Sequence, residues 1–230
     1  ITDEREYSEN PQEQIKLIVS GTENIIKLVK KTSSFIYISS GAVYGIQDKI
    51  SDAFSEECKS NTTMYDGTKK IYAEAKIIAE NIIKEYSQSD KLSSCIARCF
   101  SFIGKFTPRN QHFIIGNILN SIEKKTSLKI NSNKSVYRSF MYSDDLVRAL
   151  LFINRYSNIN TEVFNIGSDE YFETHQLIKS LSSVYNFKYH GNTEVSSKSS
   201  DIYVPNIEKL LSYGFKSNYT LHTSIKNIIN

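Results

Sequence analysis

The 230-residue chain is sparing with cysteine, proline and glycine, holding three, three and nine of them. Cys58, Cys95 and Cys99 form no Cys-x-x-Cys pair, and three thiols cannot all pair within one chain, so a disulfide framework is excluded. Cys95 and Cys99 lie on an apolar run and read as small core residues, which points to a reducing, cytoplasmic setting. His112, His175, His190 and His222 show neither HxxxH nor HExxH spacing, so no metal site is expected. No apolar stretch approaches the roughly 20 residues of a membrane span, so no membrane partner is expected. Charge of one sign is never concentrated. The 28 basic and 25 acidic residues are interspersed, for a net charge of +3, and no nucleic-acid face is indicated. There is no internal repeat and no low-complexity linker. The chain begins at Ile1 rather than Met, on a polar segment with no strand before it, and is expected to be the later part of a longer protein.

What is present is an alternation of strand and helix patterns. Hydrophobic residues make up 40% and charged residues 23%, as in an ordinary globular protein. Residues 11–31 carry Ile15, Ile18, Val19, Ile25, Ile26, Leu28 and Val29 at helical spacing, with Pro11 suited to a first turn. Residues 35–39 form an apolar strand, 45–63 a polar loop, and 65–86 a long helix on Ile71, Ala75, Ile78, Ile82 and Tyr86. Further strands are expected at 93–100, 128–130, 136–142 and 163–166. Further helices are expected at 113–122, at 143–154 with a Ser143-Asp144 cap, at 173–185, and near 205–211 and 220–229. The alternation indicates an α/β fold with a largely parallel sheet.

The densest chemistry lies at the first strand's end. Phe35-Ile36-Tyr37-Ile38 runs into Ser39-Ser40-Gly41-Ala42-Val43-Tyr44-Gly45. In α/β sheets, ligands bind outside the carboxyl ends of the strands, which puts these hydroxyls at the mouth of a site. Downstream, Tyr65 and Lys69 lie four apart on the expected helix and so share one face. An ammonium near a phenol favours the phenolate and makes tyrosine a usable acid/base, while a serine hydroxyl holds the substrate oxygen. This set suits hydride exchange between a secondary alcohol and a nicotinamide. With 15 tyrosines and 28 basic residues, a lone Tyr-x-x-x-Lys also arises by chance. A second pair, Tyr72 and Lys76, stands lower on the same helix. Tyr65 is preferred because it opens the helix after a loop, beside the small residues Gly67 and Thr68. The bland reading of both pairs is an amphipathic helix with snorkelling lysines.

Taken together, residues 35–45 and 65–69 resemble the extended short-chain dehydrogenase/reductases, the NAD-dependent epimerase/dehydratase group that modifies nucleotide sugars. Other segments agree in order: Ala97-Arg98-Cys99-Phe100-Ser101-Phe102-Ile103-Gly104, Tyr137-Arg138-Ser139-Phe140-Met141-Tyr142-Ser143-Asp144-Asp145, and Val163-Phe164-Asn165-Ile166-Gly167-Ser168. The resemblance implies a Rossmann-like doubly wound parallel sheet, incomplete at the N-terminus, with a smaller C-terminal substrate-binding region. Residues 1–104 and 136–168 would belong to the dinucleotide-binding part, and 105–135 and 169–230 to the substrate part. It implies Ser40, Tyr65 and Lys69 as catalytic residues, and Ser39, Tyr65 and Lys69 at the cofactor. Arg138 would meet the substrate diphosphate, with Ser101 and His112 in the substrate cleft. Asp144 and Asp145 read as helix-capping residues rather than catalysts. The implied cofactor is NAD or NADP, the implied partner a nucleoside-diphosphate sugar, and the implied assembly a homodimer through residues 11–31 and 65–86.

Two departures shape the expected reaction. The nine glycines nowhere form the family's Gly-x-x-Gly-x-x-Gly turn, so the pyrophosphate cradle and the ribose-binding acid are missing from this sequence. Gly41-Ala42 stands where dehydrating relatives resemble Asp-Glu or Ser-Glu, and neither residue can act as acid or base. Epimerisation or ketoreduction at sugar C4 is therefore expected ahead of 4,6-dehydration. A non-catalytic NAD(P)-binding regulator or an inactive fragment is the reading from another class.

Overall fold

The computed structural model describes residues 10–30, 32–109, 113–197 and 199–230. Helix α1 (Pro11–Leu28) starts with proline at its first turn, where the missing N–H costs nothing. Strand β1 (Ser34–Ser40) follows and runs into a single 3₁₀ turn, Gly41–Tyr44. Then come α2 (Gly67–Asp90), β2 (Ser93–Cys99), β3 (Phe102–Ile103), α3 (Ile114–Lys124), β4 (Leu128–Ile130), β5 (Ser135–Ser139), β6 (Met141–Tyr142) and α4 (Ser143–Ile153). The chain closes with β7 (Glu162–Ile166), β8 (Tyr171–Glu173), α5 (Thr174–Tyr185), β9 (Tyr189–Gly191), β10 (Ser200–Tyr203), α6 (Glu208–Ser212) and α7 (Leu221–Ile229).

The central sheet is parallel, in the order β1-β2-β7, with Ser40 beside Cys99 in register. Strand alternation divides β2 between two faces. Ile96 packs with Ile26, Ala79 and Ile83 of α1 and α2. Cys95, Ala97 and Cys99 face Ala149 and Ile153 of α4, together with Ile207, Leu210 and Phe215. The central strand β2 is thus covered on both faces, which accounts for its near-continuous burial. A second core joins α3, β4, α5 and α7 through Ile118, Leu119, Leu128, Ile178, Leu181 and Ile225. Beside it lie three small sheets, β10-β5-β8, β3-β6 and β4-β9.

Several local expectations are revised. The long helix begins at Gly67, not at residue 65, with Asp66 as its N-cap. The 136–142 run divides into β5 and β6, which belong to different sheets, because Phe140 between them turns into the second core. Helix α4 has no side-chain cap; the buried Asp145 instead accepts the backbone N–H groups of Asn218 and Tyr219, at 2.9 and 3.0 Å, and pairs with Arg148. Ile207, Leu210 and Phe215, placed with the C-terminal region by sequence, pack under the parallel sheet. No described helix is long and apolar enough to cross a membrane.

Candidate active site

The site forms where β1 ends. Ser40 closes the strand with extended backbone, and its Oγ accepts the Ala42 N–H at 3.2 Å, capping the 3₁₀ turn. Gly45 ends that turn at φ 96°, and a Cβ there would lie 1.8 Å from the Asn61 carbonyl oxygen, so both conformation and space require glycine. Gly41 lies flat against Phe100, whose ring would sit 2.5 Å from an added Cβ.

Two phenols lie beside Ser40, and a lysine lies beside the same strand. The Ser40 hydroxyl lies 3.2 Å from the Tyr203 hydroxyl, which also reaches the Cys99 carbonyl at 3.5 Å. Burial pushes the Tyr72 phenol up, and the Ser40 side chain partly opposes this. One helical turn on, Lys76 donates to the Ile38 carbonyl at 2.9 Å, and its ammonium lies 5.9 Å from the Tyr72 ring centroid and 5.0 Å from that of Tyr37. Burial lowers the Lys76 pKa, against the attraction of Cys99 and Glu80. The Cys99 thiol is pushed up to about 12 by burial, with Lys76 opposing, so it stays protonated at neutral pH.

Tyr65 and Lys69 are not brought together at Ser40. Tyr65 precedes the helix, so the i,i+4 geometry expected for this pair does not hold. Its hydroxyl donates to the Gly45 carbonyl at 2.7 Å. Burial, with Asp201 adding and Arg138 opposing, raises its pKa to about 12. Lys69 is exposed, and its charge acts on Asp201. Tyr72 and Lys76 lie within α2, where the one-turn spacing is real. The signal for this phase was in the sequence: Asp66-Gly67 marks a helix start, and Tyr72, Lys76 and Glu80 continue at steps of four.

Ser39, expected at the cofactor, points instead into a buried charged cluster. Its hydroxyl donates to Glu80 Oε1 at 2.6 Å, while Arg98 donates to both Glu80 oxygens, at 3.0 and 2.7 Å. Burial works against the Arg98 charge, but Glu80 outweighs it and the guanidinium stays protonated. The guanidinium lies 4.7 Å from the Tyr44 ring centroid. Burial raises the Tyr44 pKa to about 12, and its hydroxyl donates to Asn165 Oδ1 at 2.8 Å. The backbone N–H of Asn165 in turn donates to Glu56 at 2.7 Å.

On the far side of Tyr203, Arg138 pairs with Asp201 at 2.8 Å and donates to the Asp201 carbonyl at 3.0 Å. Its guanidinium carbon is 6.0 Å from the Tyr203 ring centroid. Ser101 is half-buried, and its carbonyl accepts the Met141 N–H at 3.1 Å. His112 lies outside the described residues. Among the described residues, no group of three or more His, Cys, Asp and Glu side chains is arranged to hold a metal ion.

Comparison with known proteins gives this arrangement a context. Residues 1–167 match the model of the NAD dependent epimerase/dehydratase family. The chain is 26% identical over 193 residues to UDP-glucuronic acid decarboxylase 2 of Arabidopsis thaliana, covering 82% of this chain and 42% of that protein. It thus spans less than half the length of this curated relative. The UDP-glucose 4-epimerase of Thermotoga maritima, solved with UDP-glucose, superposes with a TM-score of 0.80 at 20% identity, over 99% of this chain and 73% of that one. The dTDP-glucose 4,6-dehydratase of Bacillus anthracis, solved with NAD, gives 0.76 at 18% identity, over 94% and 67%. These two structures share the fold of this chain.

Proposed function

Because the chain belongs to the NAD-dependent epimerase/dehydratase family, we propose that it forms the catalytic part of an NAD(P)-dependent enzyme that oxidises or reduces C4 of a nucleoside-diphosphate sugar, as an epimerase or ketoreductase. The observation that carries this reading is the convergence of Ser40, Tyr72 and Lys76 at the carboxyl end of β1. In this assignment Tyr72 and Lys76 take the roles that the family resemblance implied for Tyr65 and Lys69.

Tyr72 accepts the proton of the sugar C4 hydroxyl and returns it when the ketone is reduced. Ser40 donates a hydrogen bond to the same C4 oxygen and orients it. Lys76, one turn away, supplies positive charge that favours the phenolate as the proton moves. The donor set fits the nicotinamide-ribose end of the cofactor: Lys76 offers an ammonium to ribose hydroxyls beside the strand end. No residue of this chain is assigned to the pyrophosphate, since its glycines form no Gly-x-x-Gly-x-x-Gly turn. When bound, NAD supplies a hydride acceptor for C4. Arg138, a planar donor already paired to the Asp201 carboxylate, is suited to the substrate diphosphate.

Dehydration is disfavoured by Gly41, since an acidic side chain there would collide with Phe100, and by Glu56, whose carboxylate is committed to Asn165. Decarboxylation of UDP-glucuronic acid, the reaction in the curated relative's name, begins with the same C4 oxidation and is the second reading. The test uses the full-length protein with NAD and, separately, UDP-glucose and UDP-glucuronic acid. Tyr72→Phe is expected to cut turnover by about 10²–10⁴-fold, with Tyr65→Phe costing far less. The reverse order would return the acid/base role to Tyr65. An accumulating 4-keto-6-deoxy sugar would overturn the epimerase reading.

A further inference from the structure

We propose that Tyr203 is a positioning residue for Ser40: its hydroxyl donates to Ser40 Oγ and so directs the serine's one proton toward Tyr72 and the substrate. The inference rests on the reading of Ser40 and Tyr72 given above, and it deepens it. A serine hydroxyl has two acceptor sites and one donor. The Ala42 N–H fills one acceptor site at 3.2 Å. The Tyr203 hydroxyl, also at 3.2 Å, is placed to fill the second, with the shared proton assigned to Tyr203. Its other acceptor, the Cys99 carbonyl, is farther off at 3.5 Å, near the limit at which a hydrogen bond counts. With both acceptor sites filled, Ser40 can only donate, and the Tyr72 phenol is a neighbour whose pKa that hydroxyl lowers. A hydroxyl held in that sense is the donor that a C4 ketone needs. Burial raises the Tyr203 pKa, so its phenol keeps its proton and remains a donor throughout the working pH range.

The placement of Tyr203 is also fixed from both ends. Its ring packs on Phe100 with centroids 4.7 Å apart. Its strand, β10, pairs in parallel with β5, setting Tyr203 beside Arg138. Two residues earlier on the same face of β10, Asp201 pairs with that arginine. One short strand thus carries both the partner of the diphosphate-binding candidate and the partner of the catalytic serine. A sugar nucleotide seated on Arg138 would meet a Ser40 already oriented.

A mutant cycle tests this in the full-length protein. Tyr203→Phe keeps the ring and its Phe100 contact and removes only the hydroxyl. With UDP-glucuronic acid and NAD, Tyr203→Phe is expected to lower kcat by about ten-fold, the worth of one directed hydrogen bond, with KM little changed. In a Ser40→Ala background the same change should have no further effect. A further ten-fold fall in the double variant, or unchanged kcat in Tyr203→Phe, overturns the proposal. A substrate-free readout separates it from the catalytic reading: the ζ-¹³C tyrosine NMR signal of Tyr72, identified by its loss in Tyr72→Phe. That signal should move in Tyr203→Phe and in Ser40→Ala, and the double variant should match Ser40→Ala. If Tyr203→Phe leaves it in place, Tyr203 does not act through Ser40. If it moves while Ser40→Ala retains full turnover, the positioning contact stands and the catalytic reading falls.

Discussion

Glu80→Ala is expected to be among the most destabilising single changes in this chain. The Glu80 and Arg98 side chains are only 3% and 6% exposed. The carboxylate accepts three hydrogen bonds, from Ser39 and twice from Arg98. Removing it strands the guanidinium in the interior, where Arg98 Nη1 already has no hydrogen-bond partner and the Tyr44 face is the main compensation left. Breaking one side of a buried pair costs about 3–5 kcal/mol, chiefly because the surviving charge is unpaired. At about 2–4 °C per kcal/mol for a domain of this size, the melting temperature should fall by about 6–20 °C. The control removes both charges: Glu80→Leu with Arg98→Met should recover most of the loss, because two apolar side chains of similar volume need no compensation. Thermal unfolding of wild type, the two single variants and the double variant decides the matter. A Glu80→Ala loss below about 1 kcal/mol, or a double variant as unstable as the single, would refute the argument that an unpaired Arg98 is the dominant cost.

Gly45→Ala should destabilise the protein by more than the roughly 1 kcal/mol of an ordinary left-handed substitution, since the added methyl also meets the Asn61 carbonyl at 1.8 Å; urea denaturation midpoints measure it, and an unchanged midpoint would count against it. Asp201 supplies the pH dependence. Burial pushes its pKa up, but Arg138 and then Lys69 pull it down further, leaving it below its ordinary value. A carboxyl depressed on folding contributes stability that is present above its unfolded value and is lost as pH falls through the folded one. Denaturation midpoints taken from pH 6 down toward about pH 3 should therefore fall less steeply in Asp201→Asn than in wild type, and parallel profiles would refute the linkage. On α1, Leu17, Ile25 and Leu28 are 52%, 57% and 83% exposed, and Ile78 of α2 is 44% exposed, which supports the proposed homodimer through these helices. Ile25→Glu with Leu28→Lys should shift the protein from dimer to monomer by light scattering; a wild-type monomer would remove that proposal.

The sheet and its covering helices were legible because their patterns are long enough to carry a period. β1, β2 and β7 are strands of five to seven residues with apolar centres, and α1 and α2 sustain helical spacing over 18 and 24 residues. Strands β8, β9 and β10 have only three or four residues each, too few to show alternation, and their pairing is decided by neighbours distant in sequence. The site was legible to the same degree. Ser40 followed from its place at a strand end, which is a local property. The choice between two Tyr-x-x-x-Lys pairs depended on where α2 begins, and helix starts are the least certain feature of a periodic pattern. A shift of two residues takes Tyr65 out of the helix and leaves Tyr72, Lys76 and Glu80 as a single ladder. That ladder does two kinds of work at successive turns: Tyr72 and Lys76 lie toward Ser40, while Glu80 secures Ser39 and Arg98 within the fold. Tyr203 had no local signal at all, since its bond to Ser40 joins residues 163 apart. The proposed catalytic geometry is therefore divided between a helix phase, which sequence can narrow to two choices, and a contact between Ser40 and a strand distant in sequence.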